Sequence, residues 1–162
     1  MSNFITVSSI SYAPGSGTQE EVVAQTHKDL KNLVGECARA THPDLIALPE
    51  TICGKFDEYV PGGPTTRVLA NQAKKHNCYI TVPVHQKERK TGHIYNVLAL
   101  LDRNGKLAGI YRKYIPVYPE FDHGTRPGPG ATLIETEFGP VGGVICFDLN
   151  FGELCQQYKK LK

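Results

Sequence analysis

A chain of 162 residues with 40% apolar and 21% charged side chains has the proportions of one soluble globular domain. Its 18 basic and 16 acidic residues are interspersed and sum to a formal +2, which argues against a nucleic-acid stripe or a membrane patch, so neither partner is expected. No run approaches the roughly 20 apolar residues of a membrane span, and no basic segment leads into a long apolar one at the N-terminus, so a cytoplasmic location is expected.

Phe4 to Tyr12, rich in β-branched and aromatic residues, reads as a first strand closed by Pro14-Gly15. Gly15-Ser16-Gly17 lacks the third glycine and the lysine of a nucleotide loop and reads as a plain turn. Thr18 and Glu21 form a capping box, and Val23, Leu30, Val34 and Cys37 recur at helical spacing, which predicts a helix from about Thr18 to Ala40 with Cys37 on its buried face. Asp44 to Pro49 is a short strand that delivers Glu50 to its C-terminal end, where ligand chemistry concentrates in α/β sheets.

After the Pro61-Gly62-Gly63-Pro64 loop, Thr65 to His76 reads as a helix and Cys78 to Val84 as a strand. His93 to Leu101 and Leu107 to Arg112 flank Asn104-Gly105, a strong hairpin signal. Ile115 to Gly130 carries too much proline and glycine for a regular element and reads as an ordered loop. Thr132 to Thr136 and Val141 to Phe147 predict a second hairpin, the last strand being apolar enough to be buried on both faces. Gly152 to Lys162 predicts a final helix with Leu154, Cys155, Tyr158 and Leu161 on one face and a solvated lysine-rich end.

The five cysteines, Cys37, Cys53, Cys78, Cys146 and Cys155, are odd in number and never paired as Cys-x-x-Cys, which predicts reduced thiols rather than disulfides or a zinc ribbon. The six histidines show no His-x-x-x-His or His-Glu-x-x-His spacing, so no metal site is expected.

Three titratable groups each follow an apolar strand: Glu50, Lys113 and Cys146. Singly they have ordinary explanations, namely a loop carboxylate, a surface cation beside Arg112 and a small packed thiol. Together they are what acyl transfer through a thioester needs: a base, a fixed cation and a nucleophile. The position of Cys146, at a strand end facing a helix N-terminus, predicts a dipole that favours its thiolate.

Leu48-Pro49-Glu50, Tyr95-Asn96, Tyr111-Arg112-Lys113, Pro119-Glu120 and Gly143-Val144-Ile145-Cys146-Phe147-Asp148, in this order, resemble the nitrilase, or carbon–nitrogen hydrolase, superfamily. The resemblance runs along the whole chain, although the family's domain is considerably longer. It implies an α/β fold, a four-layer α-β-β-α sandwich of which residues 1–162 are the N-terminal part, the C-terminal strands and helices being absent. It also implies catalytic roles for Glu50, Lys113 and Cys146, with Glu120 as a second glutamate that holds substrate and orients the lysine. A homodimer or higher homo-oligomer is likewise implied.

In that chemistry Glu50 takes the thiol proton, Cys146 attacks an amide carbonyl, and Lys113 with the backbone N–H of Phe147 stabilises the oxyanion. No metal or organic cofactor is required. The family's nitrile-cleaving branch resembles Cys-Trp-Glu, whereas Cys146-Phe147-Asp148 is closer to its amide-hydrolysing branches, so a small linear amide or carbamoyl substrate is expected. Pro83-Val84-His85 and Gly152 also depart from common family patterns, the first from a glycine-bearing turn and the second from a proline. The same thioester would serve an acyltransferase or a glutamine-hydrolysing domain that feeds ammonia to a partner. A silent scaffold that keeps the fold is the remaining alternative.

Overall fold

Thr18 starts the first helix through its side chain: its hydroxyl accepts from the Glu21 N–H at 3.3 Å, and the Glu21 carboxylate accepts the Thr18 N–H at 2.9 Å. In the computed structural model, which describes residues 4–161, this helix is α1 (Gln19–Thr41). It buries Val23, Leu30, Val34 and Ala38 against a sheet, beside Leu69 and Ala73 of α2 (Pro64–His76). Cys37, expected on that face, is only half-buried. No described helix is long and apolar enough to cross a membrane.

The main sheet holds β1 (Val7–Ser9), β2 (Leu45–Ala47), β3 (Asp57–Glu58), β4 (Tyr79–Lys87), β5 (Ile94–Leu101) and β6 (Leu107–Arg112). Its order is β1-β2-β4-β5-β6, parallel up to β4 and antiparallel beyond, with β3 pairing the far end of β4 in parallel. Ile80, Val82 and Val84 of β4 lie opposite Leu101, Ala99 and Val97 of β5, and all six face the helices. The alternate residues face the other way, and they build the site.

Pro83 looks misplaced in a central strand, but it sits in the gap between β2, which pairs only with Tyr79 and Ile80, and β3, which pairs with His85 and Gln86. Its carbonyl accepts from Ile52 N–H at 3.0 Å on that side, so no ladder bond is lost for want of a proline N–H. The Pro83-Val84-His85 stretch is therefore straight strand, and β4 runs three residues past the expected end, to Lys87. Glu58 of β3, unforeseen as a strand, caps α2 by accepting the Thr65 and Thr66 N–H groups at 2.9 and 3.0 Å.

The second sheet is represented among the described residues by a hairpin of β7 (Leu133–Ile134) and β8 (Val141–Gly142). Here an expectation fails. The strand predicted over Val141 to Phe147 is two residues long, and Gly143 and Ile145 are buried while Val144 is exposed. The cause is local: a Cβ on Gly143 would lie 2.6 Å from the Cβ and Cγ of Tyr111, so the chain lies flat on that ring instead of pairing onward.

Cys146–Asn150 then forms a 3-10 helix. The predicted loop over Ile115 to Gly130 includes α3 (Tyr118–Asp122), with proline in its first turn. The last helix, α4 (Gly152–Lys160), buries Leu154 against Tyr111 and Ile145, whereas Cys155 and Leu161 are exposed, so the predicted shared face narrows to Leu154 and Tyr158. Lys162, assigned to that helix from sequence, lies outside the described residues. The first strand is likewise shorter than Phe4 to Tyr12, because its neighbour β2 offers three residues to pair with.

Candidate active site

One transverse row of the sheet builds the polar floor of the site. Asp57 pairs with His85, His85 with Asn96, and the register continues past β6 so that Lys113 N–H bonds the Asn96 carbonyl at 2.8 Å. Directly opposed residues share a face, so these four side chains stand side by side away from the helices. Glu50 arrives from the turn after β2, and Glu120 from α3.

The Lys113 ammonium, 1% exposed, donates to Glu50 Oε1 at 2.7 Å and Glu120 Oε2 at 2.8 Å. Asn96 Nδ2 spends its two protons on the same carboxylates, 2.6 Å from Glu50 Oε1 and 2.6 Å from Glu120 Oε1. Glu120 also accepts the Val117 N–H at 2.7 Å, so both its oxygens are committed. Glu50 takes Lys113 and Asn96 on Oε1, which leaves Oε2 with lone pairs to receive a proton.

The charges respond accordingly. Burial alone would lower the Lys113 pKa, but its bonds to Glu120 and Glu50 outweigh this and raise it, so the site keeps an ammonium. Burial likewise works to protonate Glu120, yet Lys113, Asn96 and the Val117 N–H hold its pKa below the ordinary carboxylate value.

Cys146 opens the 3-10 helix in left-handed backbone, φ 44°, and Thr51 beside Glu50 has φ 47°. For non-glycine residues such conformations cost about 1–3 kcal/mol each and are held only by surrounding structure. Asp148 supplies that hold. Buried to 1% exposure, its carboxylate accepts from Tyr111 OH at 2.6 Å, Ile145 N–H at 3.0 Å and Ile115 N–H at 2.9 Å. Asp148→Ala is expected to strand these donors and to lower stability by about 3 kcal/mol or more in denaturant melts. A change within about 0.5 kcal/mol would show that water replaces the carboxylate at no cost.

Cys146, an exposed residue, lies where two adjoining pockets of about 140 and 260 Å³ meet, and Glu50 lines both beside it. Leu48, Pro83, Leu98 and Val144 line the smaller, and Lys113, Glu120, His85 and His123 the larger. The expected thiolate is corrected here. Partial desolvation of the sulfur and then the Glu50 charge raise the thiol pKa above its ordinary value, and Lys113 with the Phe147 N–H recovers only part of this, so Cys146 rests as a thiol. Buried Cys53 and Cys78 are pushed up to about 11 by desolvation and are far less reactive.

Four of the five residues singled out from sequence therefore come together on one pocket, Glu50, Lys113, Glu120 and Cys146, and the fifth, Phe147, follows Cys146 in the 3-10 helix. Asn96 and Asp148 were present in the motifs but had no assigned part. A buried amide sequentially beside an aromatic strand residue carries no pattern that reveals two carboxylate partners 46 and 24 positions away.

Residues 6–161 match the carbon–nitrogen hydrolase family, and the chain belongs to it. It is 32% identical over 135 residues to the omega-amidase NIT2 of Danio rerio, covering 72% of this chain and 47% of that protein. It is 33% identical over 97 residues to N-carbamoylputrescine amidase of Solanum lycopersicum, covering 57% of this chain and 32% of that protein. The crystal structure of Saccharomyces cerevisiae Nit3, a member of branch 10 of the nitrilase superfamily, superposes with a TM-score of 0.72 at 23% identity, covering 94% of this chain and 59% of that one. An N-terminal amidase superposes at 0.76 with 18% identity, over 93% and 41% of the two chains. The fold is thus the nitrilase α/β fold, and the chain spans about half the length of the curated relatives it matches.

Proposed function

We propose that the protein hydrolyses a non-peptide carbon–nitrogen bond of a small linear amide or carbamoyl compound through a thioester on Cys146. The observation that carries this reading is the Lys113 ammonium, fixed by Glu50 and Glu120 with one of its three protons uncommitted among the described residues. Glu50 Oε2 takes the thiol proton as the Cys146 sulfur bonds the carbonyl carbon, and the oxyanion falls to that third Lys113 proton and the Phe147 N–H. Collapse breaks the C–N bond while Glu50 returns its proton to the amine. Glu50 then deprotonates a water that attacks the thioester, and the thiol is regenerated. Glu120, with both oxygens committed, orients Lys113 and is not a second base.

The small pockets flanking Cys146 and the amidase names of the relatives support a small amide or carbamoyl group. Residues 1–162 are proposed as the N-terminal part of one hydrolase domain, acting in the cytoplasm as a homodimer or higher homo-oligomer; the assembly rests on the family resemblance alone. The test is ammonia release by the intact protein from a panel of linear ω-amides, N-carbamoyl amines and glutamine, with mass spectrometry of the quenched enzyme. The expected result is ammonia together with an acyl adduct on Cys146. An adduct that turns over only when an amine acceptor is added would instead make the protein an acyltransferase. Neither ammonia nor adduct from any substrate would leave the scaffold alternative standing.

A further inference from the structure

The row that carries Asn96 and Lys113 begins with Asp57 and His85, and these two have no part in the chemistry above. His85 is 3% exposed, lines the larger pocket, and neither of its ring nitrogens has a hydrogen-bond partner among the described residues. A neutral imidazole, the form its burial favours, carries one donor and one acceptor, so two polar atoms are buried without a match. His123, on the loop after α3, completes the cluster: its Nε2 lies 2.9 Å from Asp57 Oδ1 and its ring centroid 5.0 Å from that of His85.

We propose that Asp57, His85 and His123 form a divalent transition-metal site of the zinc class on the wall of the pocket, beside the Glu50–Lys113–Cys146 group and separate from it. One ligand atom from each residue lies within 4.8 Å of the others. Zinc bonds of about 2.0–2.2 Å require some contraction of that triangle. The movable members are Asp57 and His123, whose side chains are 26% and 20% exposed, while His85 is fixed in its strand. Two imidazoles and one carboxylate, with a fourth position open to the pocket, are a donor set for zinc, whereas calcium and magnesium demand oxygen ligands. Lys113 does not compete for the cluster, because its ammonium is bonded to Glu50 and Glu120.

The histidine spacings missed this site because its members come from β3, β4 and a loop, 28 and 38 positions apart (57 to 85, 85 to 123). A cation held there, with its open coordination position, occupies the pocket that Glu50, Lys113 and Cys146 also line and competes with substrate for that space. Zinc is therefore an inhibitor, a consequence that rests on the proposed function, although binding itself does not.

The test uses the intact protein carrying Cys146→Ala, which removes the thiol as a competing zinc ligand, titrated with Co²⁺ for its visible absorption and with Zn²⁺ by calorimetry. One equivalent is expected to bind, and His123→Gln, Asp57→Asn and His85→Gln are each expected to weaken binding at least about 100-fold, beyond the usual loss of an outer-shell partner. If His85→Gln does not fold, the two partly exposed variants carry the test, with thermal melting without metal as the control. No Co²⁺ band at millimolar metal, or affinity retained in all the folded variants, overturns the site. Failure of the hydrolase reading would appear as absent ammonia release and would leave the metal titration unaffected.

Discussion

Glu50→Gln is expected to stop amide turnover by about 10²–10⁴-fold while speeding the alkylation of Cys146 at neutral pH. The opposition follows from what sets the thiol pKa. Burial and the Glu50 charge raise it, and Lys113 with the Phe147 N–H lowers it. Neutralising Glu50 removes one raising cause and keeps both lowering ones, so the pKa falls and more thiolate is present at any pH below it. Iodoacetamide labelling followed by peptide mapping across pH 6–10 should give a Cys146 midpoint displaced to lower pH, while ammonia release is lost. A midpoint unmoved or displaced upward, with turnover retained, would sink the assignment of Glu50 as both the raiser of the thiol and its base.

Lys113→Met is expected to cost turnover at least about 10²–10³-fold, the range for one oxyanion donor. It should also destabilise the protein, because Glu50 and Glu120 are then left with Asn96 as their shared partner. Breaking a buried ion pair by removing one partner typically costs about 3–5 kcal/mol, and the 29% exposure of Glu50 places this case at the low end. Lys113→Arg separates charge from geometry. A guanidinium keeps the charge, but its planar fork cannot direct two protons at Glu50 and Glu120 and a third at the same oxyanion. Near-normal kcat in the arginine variant, measured by ammonia release beside a thermal melt, would show that position 113 needs only a cation.

What the sequence disclosed and what it concealed divide by range. The Thr18 cap, the stripe of Val23, Leu30 and Val34, and the Asn104-Gly105 turn act within a few residues, and each produces the expected element. Cys146 ends an apolar run long enough to suggest a seven-residue strand, but the packing of Gly143 on Tyr111 stops the strand at Gly142. The register that aligns Asp57, His85, Asn96 and Lys113 is set by pairing among four segments, and no local pattern encodes it. The protonation state of Cys146 is hidden from the sequence for a related reason. The dipole is a local property, whereas the burial and the Glu50 charge that outweigh it come from the assembled sheet.

The clasp around Lys113 also bears on the order in which the chain folds. Its bond to Glu50 spans 63 positions and that of Asn96 to Glu50 spans 46, whereas the β5–β6 hairpin closes over a turn of a few residues. Loop closure must be completed before such distant contacts return any stabilisation, so local helices and hairpins can precede them. Until β2 has docked beside β4, Glu50 is an ordinary solvated carboxylate and Cys146 lacks the group proposed as its base. The proposed reactive centre is consequently among the last parts of the molecule to mature, and a nascent or partly unfolded chain would present the Cys146 thiol without the carboxylate and ammonium that accompany it in the folded protein.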